Sequence, residues 1–435
     1  MKKRRRPRMN YNRYHSRYIK RRRLNVKRIM ICACSVILIS ATIATVYIRN
    51  NEKYKATEAM ATPQERKENF SVETQTNAET TKTTEKTDIT LVAVGDDLVS
   101  DAVLTTAKKN DGSYDFSGVY EKLKPDIKKA DIAILNQETI LGGDSYEYKG
   151  YPCFNTPDSM GDAIIDAGFD IVQQASNHSF DTRVEGIEHC IKYWNKHKKK
   201  IMMVGLNKNE KQYHSIPIYE CKGIKFAVLN YTYGLNGFVL PKGKEYLVNL
   251  LDEEHWDKVK SDIERAETLA DFTIVLPHWG QEYVQPDPTP EQEKWADMMV
   301  EAGADLIIGT HPHVVEKIQW IKSNNGNKAL CYYSLGNYTS GQQNWKTLLG
   351  GMAKLTIRKD ENGVRILKKK AGVVPIVTHY VWGLSAGVIR EQYTYKLSEY
   401  SQDILNRHSI QWYDPIQYKD LVKLSNEVFG KWIMK

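Results

Sequence analysis

The chain has 435 residues, 41% of them hydrophobic, which is ordinary for a polypeptide with one large or two modest packed domains. Its formal charge of +9 is segregated: of 62 Lys/Arg, 14 lie in residues 1–28 with no acid among them, leaving 48 against 53 acids in the rest. That balance excludes a generally basic, nucleic-acid-coating body, and six cysteines with no C-x-x-C spacing exclude a dense disulfide framework.

Residues 1–28 form a basic tail with Tyr11, Tyr14 and Tyr18 between the cations. Such a tail can contact RNA or anionic lipid. Next to an apolar run the lipid reading is preferred, and no nucleic-acid partner is expected. Residues 29–48 are 20 residues without a charge, IMICACSVILISATIATVYI. At the rise of an α-helix they would span about 30 Å, the thickness of a bilayer core. The cations before the run predict a single-pass membrane protein with a cytoplasmic N-terminus and an extracellular C-terminal body. A cleaved signal peptide is the rival reading. The long basic region and the length of the run favour an uncleaved anchor. Residues 49–87 are rich in Thr, Glu, Lys, Asn and Gln, and read as a disordered spacer.

From residue 88 apolar, partly β-branched runs alternate with helical patterns. ITLVAVG, DIAILN, FDIVQQA, KIMMVG, KFAVLNYTY, FTIVLPH and DLIIGT are predicted strands. Helices are predicted over 120–130, 159–167, 184–197, 252–270 and 290–302. The fold class is therefore α/β, with strands buried on both faces. Later residues read as strands with a hairpin at Asp360–Gly363. One domain is predicted over 88–380, and a helical, amphipathic extension with Trp412 and Trp432 over 381–435. Cys153, Cys190, Cys221 and Cys331 are scattered and read as buried thiols, with one disulfide left open.

Polar residues recur where these strands end. Asp96 follows Val94-Gly95, where the glycine permits a tight turn; Asp97 and Asp101 could share its role. Asn136 and Glu138 alternate by two and would face one side. Asn177-His178 follows the next strand. His278 ends FTIVLPH, and His311 and His313 follow DLIIGT, with both rings facing one way if the chain is extended. Each alone has a plainer explanation: a helix cap for Asp96, a solvated Glu138, turn chemistry for Asn177-His178, a core histidine. Together they make the mixed oxygen and nitrogen ligand set that suits two divalent cations. No P-loop, dinucleotide fingerprint or G-x-S-x-G elbow competes with them.

Val-Gly-Asp96, Asn136-Gln-Glu138, Ser-Asn177-His178-Ser-Phe-Asp181, His278-Trp-Gly-Gln-Glu282-Tyr283, Gly-Thr-His311-Pro-His313-Val and Tyr333-Ser-Leu-Gly-Asn337 are in sequence. Over residues 88–380 this series resembles the CapA/PgsA family of poly-γ-glutamate capsule synthesis proteins, relatives of the calcineurin-like metallophosphatases. The resemblance implies a β-sandwich flanked by helices and two metals, manganese, zinc or iron. It implies Asp96 and His313 on one metal, Asn177, His278 and His311 on the other, and Glu138 bridging them. His178 would stand beside the pair as a catalytic group. It also implies an anionic polymer as substrate and the membrane subunits of a polymer synthase as partners. Two positions depart from the superfamily pattern: Leu98 replaces a histidine that would hold the first metal, and Arg183 replaces a frequent glycine.

Overall fold

The computed structural model describes residues 86–382 and 389–434. The expected tail, membrane span and nearly all of the spacer lie outside the described residues. Within them, no helix is long and apolar enough to cross a membrane.

Order begins with β1 (Thr87–Asp97), one residue earlier than expected, followed by β2 (Ile132–Gln137), β3 (Ile171–Gln173) and β4 (Met202–Val204). These four run parallel and side by side. Further on come β5 (Ile218–Cys221), β6 (Ile224–Thr232), β7 (Phe272–His278) and β8 (Leu306–Ile308), then β9 (Ile318–Lys322), β10 (Lys328–Tyr332) and β11 (Asn337–Thr339). The chain closes on β12 (Leu349–Asp360), β13 (Gly363–Trp382) and β14 (Ile389–Lys396). One sheet has the order β14-β13-β12-β1-β2-β3-β4, with the short β11 beside β1; the other has the order β5-β6-β7-β8-β10-β9.

Side-chain alternation explains how the sheets stack. Ile89, Leu91 and Ala93 of β1 share a buried cluster with Phe226 and Val228 of β6 and Ile274 and Leu276 of β7. The intervening Val92 and Val94 point the other way, onto Ile187 and Trp194 of the helix Arg183–His197. Val275 likewise turns outward, against Val259 and Ile263 of helix Trp256–Leu269 and Trp295 and Met299 of helix Pro290–Ala302. The described residues thus form two face-to-face sheets with helices outside each. Strands covered on both faces need apolar residues at every position, hence the unbroken runs in the sequence. Each such side chain fully buried contributes about 1.5–3 kcal/mol.

Most predicted elements are present, and helix Pro290–Ala302 has the expected bounds. Its start is set by a capping box in which Thr289 and Gln292 satisfy each other's backbone N–H, with Pro290 opening the helix. The helix expected over 120–130 is instead two short ones, Ser117–Tyr120 and Lys124–Lys129, the second with Pro125 in its first turn. The hairpin at Asp360–Gly363 is formed, with those two residues paired. The four cysteines are all unpaired; Cys190 and Cys331 are buried, whereas Cys153 and Cys221 are half-buried.

The helical extension expected over 381–435 needs correction. β13 runs through 381 and β14 pairs with it antiparallel, so the first part of that segment completes a sheet. Helices follow only at Gln402–Arg407 and Tyr418–Val428, and Trp412 is 64% exposed rather than packed. The alternation of buried Gln392 and Thr394 with Glu391, Tyr393 and Tyr395 is the period of a strand, although its inward side chains are polar.

This region holds two buried imidazoles. His379 hydrogen-bonds the Tyr400 hydroxyl through Nδ1 at 2.8 Å, and His408 stacks edge-on against it at 4.9 Å. Burial pushes His379 down to about 4 and His408 to about 3, from 6.5. A lowered histidine contributes stability that is complete above about 6.5 and is lost as pH falls towards the folded value. Thermal unfolding between pH 6.5 and 4 should therefore show a shallower acid loss in His379→Gln than in the wild type. An unchanged slope would mean that these rings do not set acid stability.

Candidate metal centre

All the expected ligands sit at the C-terminal ends of parallel strands, where open α/β sheets place their sites. Asp96 is the penultimate residue of β1 and Glu138 is the residue after β2. Asn177 and His178 lie in the loop after β3, His278 is the last residue of β7, and His311 and His313 follow β8. β1 pairs with β2 so that Asp96 lies opposite Asn136, and with β11 so that it lies opposite Asn337. On the other sheet His278 is bridged to Thr310.

Gly95 has a steric role here rather than the turn role expected. A Cβ at that position would stand 1.8 Å from the Gly336 carbonyl oxygen. The same oxygen accepts the Asp96 N–H at 2.9 Å. Close approach of the 336 backbone therefore requires glycine, and it fixes where the Asp96 carboxylate emerges.

Two buried groups of residues could each hold a metal ion: Glu138 with His278 and His311, and Asp96 with Glu138 and His313. Glu138 belongs to both. Asn177 Oδ1 lies 2.9 Å from His278 Nε2, so it stands beside the first group. In the second, His313 Nδ1 is 3.2 Å from Asp96 Oδ2, and His313 Nε2 is 3.7 Å from Glu138 Oε1. Among the described residues, Glu138 Oε1 and Oε2 and His311 Nδ1 are buried with no hydrogen-bond partner. Buried donors and acceptors are normally satisfied, so lone pairs left open on three neighbouring atoms fit a cation.

Neighbouring groups orient these side chains. The Thr310 hydroxyl meets His278 Nδ1 at 3.0 Å, and Asn337 Oδ1 lies 3.1 Å from His313 Nδ1. In both rings Nε2 faces the Glu138 carboxylate, at 3.9 and 3.7 Å, with the other nitrogen held by a neighbour, as is common behind metal-bound histidines. Asn136 donates to Asp96 Oδ1 at 2.8 Å, and the His311 N–H points at the same carboxylate. Thr310, Asn136 and Asn337 stand in the quoted motifs but were given no role there. Asn337 opens β11, the short strand that pairs with β1 at Asp96.

Electrostatics follow from burial. Glu138 is raised well above the usual carboxylate value, chiefly by loss of water, with His313 opposing and Asp96 adding. His278 and His311 are pushed well down by burial and then by neighbouring imidazoles. Burial would lower His313 too, but the carboxylates of Glu138 and Asp96 outweigh it and raise it to about 10. Burial thus opposes the charge of Glu138 and keeps His278 and His311 neutral, and a metal ion would favour the Glu138 carboxylate and take the place of the proton on His313.

His178 stands apart from both groups. Its Nδ1 meets Asp181 Oδ2 at 2.7 Å, and that oxygen also accepts the Phe154 N–H at 2.7 Å. The Phe154 ring meets the imidazole edge-on at 4.5 Å.

Three expectations change. Asp97 does not share the role of Asp96: it hydrogen-bonds the buried Tyr120 hydroxyl on the helix side, and burial raises it to about 7. Asp101 instead accepts from the Gly150 N–H at 2.6 Å. Leu98 is buried, so the group of Asp96 has no imidazole from that position. His311 and His313 are not extended, as supposed, but have φ of 101° and 59°. Arg183, at a position where a glycine is frequent, has φ of 62°. Left-handed backbone is what glycine tolerates best. The arginine offsets its cost by stacking 3.8 Å from the Phe238 ring and donating to the Phe180 carbonyl at 2.8 Å.

Residues 90–342 match the family model described as bacterial capsule synthesis protein PGA_cap. A capsule biosynthesis protein CapA from Bacillus anthracis is 27% identical over 293 residues, 66% of this chain and 67% of that one. A PGA biosynthesis protein CapA from Bacillus subtilis (strain 168) is 29% identical over 209 residues, 46% of this chain and half of that one. Among solved structures, a putative 5'-nucleotidase from Staphylococcus aureus in complex with alpha-ketoglutarate has a TM-score of 0.41 at 14% identity, covering 66% of this chain and 54% of its own. The calcineurin-like phosphoesterase YfkN from Bacillus subtilis has a TM-score of 0.38 at 11% identity, covering 79% and 97%. Those two likenesses are too distant to bear on the site. With the model spanning more than half of the chain, this protein belongs to the PGA_cap family of bacterial capsule synthesis proteins.

Proposed function

We propose that this chain is a membrane-anchored, extracellular capsule synthesis protein that acts on an anionic polymer such as poly-γ-glutamate through a two-metal, metallophosphatase-like centre. The observation that carries the reading is the pair of buried ligand groups sharing Glu138. Membership of a capsule synthesis family supports the setting. The anchor rests on the apolar run at 29–48 and its basic flank. Membrane subunits of a polymer synthase are the partners this layout suits.

Asp96 and His313 would hold one divalent ion, Asn177, His278 and His311 the other, and Glu138 both. Two such ions would supply positive charge for an anionic group of the substrate and Lewis acidity beside it. The chain does the rest. Asp181 holds the His178 ring so that Nε2 is its free polar atom, placed to give a proton to a leaving group. Thr310, Asn136 and Asn337 keep the ligands in their rotamers.

A second reading, phosphoester hydrolysis, is favoured by the same donor set, because poly-γ-glutamate contains no phosphate. One set of measurements separates them. Elemental analysis of the purified chain should find manganese, zinc or iron, and the double variant His311→Ala, His313→Ala should lower it at least about tenfold. Cells carrying that variant should lose surface polymer. Normal polymer from the metal-free variant would reduce the centre to a relic on a scaffold. Phosphoester turnover by the wild type without any effect on polymer would favour the second reading.

A further inference from the structure

The mouth of the centre has a composition that the proposed chemistry does not use. Tyr233 and Tyr283 stand at it, 39% and 47% exposed, and Tyr151 is 80% exposed. Both nearer rings are tied to the ligand segments. The Tyr233 N–H donates to the His278 carbonyl at 3.0 Å and the Tyr283 N–H to the Pro312 carbonyl at 2.9 Å. The Tyr233 ring lies 4.6 Å from that of His311, and the Tyr283 ring 6.1 Å from that of His313. Tyr283 has φ of 66°, a conformation that costs a bulky residue energy and that clusters at functional sites. Gln342 steadies it by donating to its hydroxyl at 3.2 Å.

The rim beside these two tyrosines offers a carboxylate: Glu282 is exposed and, among the described residues, makes no ion pair. Its field reaches Glu138 and raises both Tyr233 and Tyr283 to about 12, secondary to burial. Among the described residues, no Lys or Arg is ion-paired with Asp96, Glu138, Asp181 or Glu282. Sites that clamp polyphosphates or long runs of anion add Arg or Lys around the reacting group. Here an anion beyond the first would meet Glu282 instead. Aromatic faces with a carboxylate are the surroundings that favour an ammonium group.

We propose that the rim formed by Tyr233, Tyr283 and Glu282 recognises a primary ammonium next to the anionic group held at the centre, so that the substrate is the free amino end of an amino-acid chain rather than a polyanionic stretch within it. The inference rests on the two-metal reading above. Two carboxylates on the ligands would leave a pair of divalent ions with net positive charge for one substrate anion. The rim would then select what lies beside that anion.

The test is a calorimetric titration of the full-length, metal-loaded chain with a γ-linked glutamate dipeptide and with the same dipeptide acetylated on its amine. The free amine should bind at least about tenfold more tightly. Glu282→Gln should bring the two within about twofold of each other, and Tyr283→Leu should narrow the gap in the same direction, with metal content unchanged in both. Equal or tighter binding of the acetylated form by metal-loaded wild type overturns the inference alone, as does binding of neither ligand, or a preference that survives Glu282→Gln. Absence of metal from the wild type by elemental analysis overturns the reading of the centre and this inference with it.

Discussion

Glu138→Gln should empty both metal positions at once and make the metal-free chain more stable. The carboxylate is the one residue common to the two buried groups. An amide is neutral and offers one oxygen, so affinity at both positions should fall by about 10²-fold or more, beyond what loss of a supporting residue brings. Stability should move the other way when no metal is present. The side chain is 1% exposed and neither oxygen has a hydrogen-bond partner among the described residues. Burial opposes the charge of Glu138, and replacing the carboxyl by a neutral amide removes a desolvation cost of about 1–3 kcal/mol. Denaturant unfolding in chelator should therefore favour the variant. With metal restored the order should reverse, because only the wild type gains from binding. A variant that keeps a full metal complement would show that Glu138 bridges nothing.

His178→Ala should do the opposite: leave metal content and folding near normal while cutting turnover by about 10²–10⁴-fold. The ring belongs to neither ligand group, and its anchor is Asp181. Asp181→Asn should follow in the same direction, because the amide cannot hold the ring in the same tautomer. Both phosphoester hydrolysis and surface polymer need measuring. Should His178→Ala produce normal polymer, the protein would act by holding partners, and the catalytic role would be lost.

Much of the centre could be read from the sequence because each ligand ends an apolar run, and apolar runs are how a doubly covered strand is written. Asp96, Glu138, Asn177, His278, His311 and His313 do converge. The reasons given for three of them, Asp96, His311 and His313, were wrong. Gly95 makes room for the Gly336 carbonyl, a contact 241 residues away along the chain that no local pattern carries. His311 and His313 face the site through left-handed backbone, which an i, i+2 spacing suggests only if the chain is extended. The roles of Thr310 and Asn337 escaped because a residue that orients a ligand carries no charge or spacing of its own. β14 was missed for a related reason. Its inward Gln392 and Thr394 are polar and donate to the Thr339 hydroxyl and the Tyr338 carbonyl, partners supplied by another strand. Helix Pro290–Ala302, by contrast, carries its start signal within four consecutive residues.

Asp96, Glu138 and Asn177 come from one sheet, and His278, His311 and His313 from the other. Elsewhere those sheets are joined mainly by side-chain packing, which is non-directional and yields gradually, with solvent-exposed ion pairs such as Lys222–Asp131 and Lys359–Asp271 at the far margin. A pair of ions at the strand ends would act as a rivet through both layers at a single margin. Opening fluctuations that separate the layers would then have to begin at the far margin, near the start of β1 and the β5–β6 turn. Amide exchange in the loaded protein would run as a gradient away from the rivet, and chelation would flatten it.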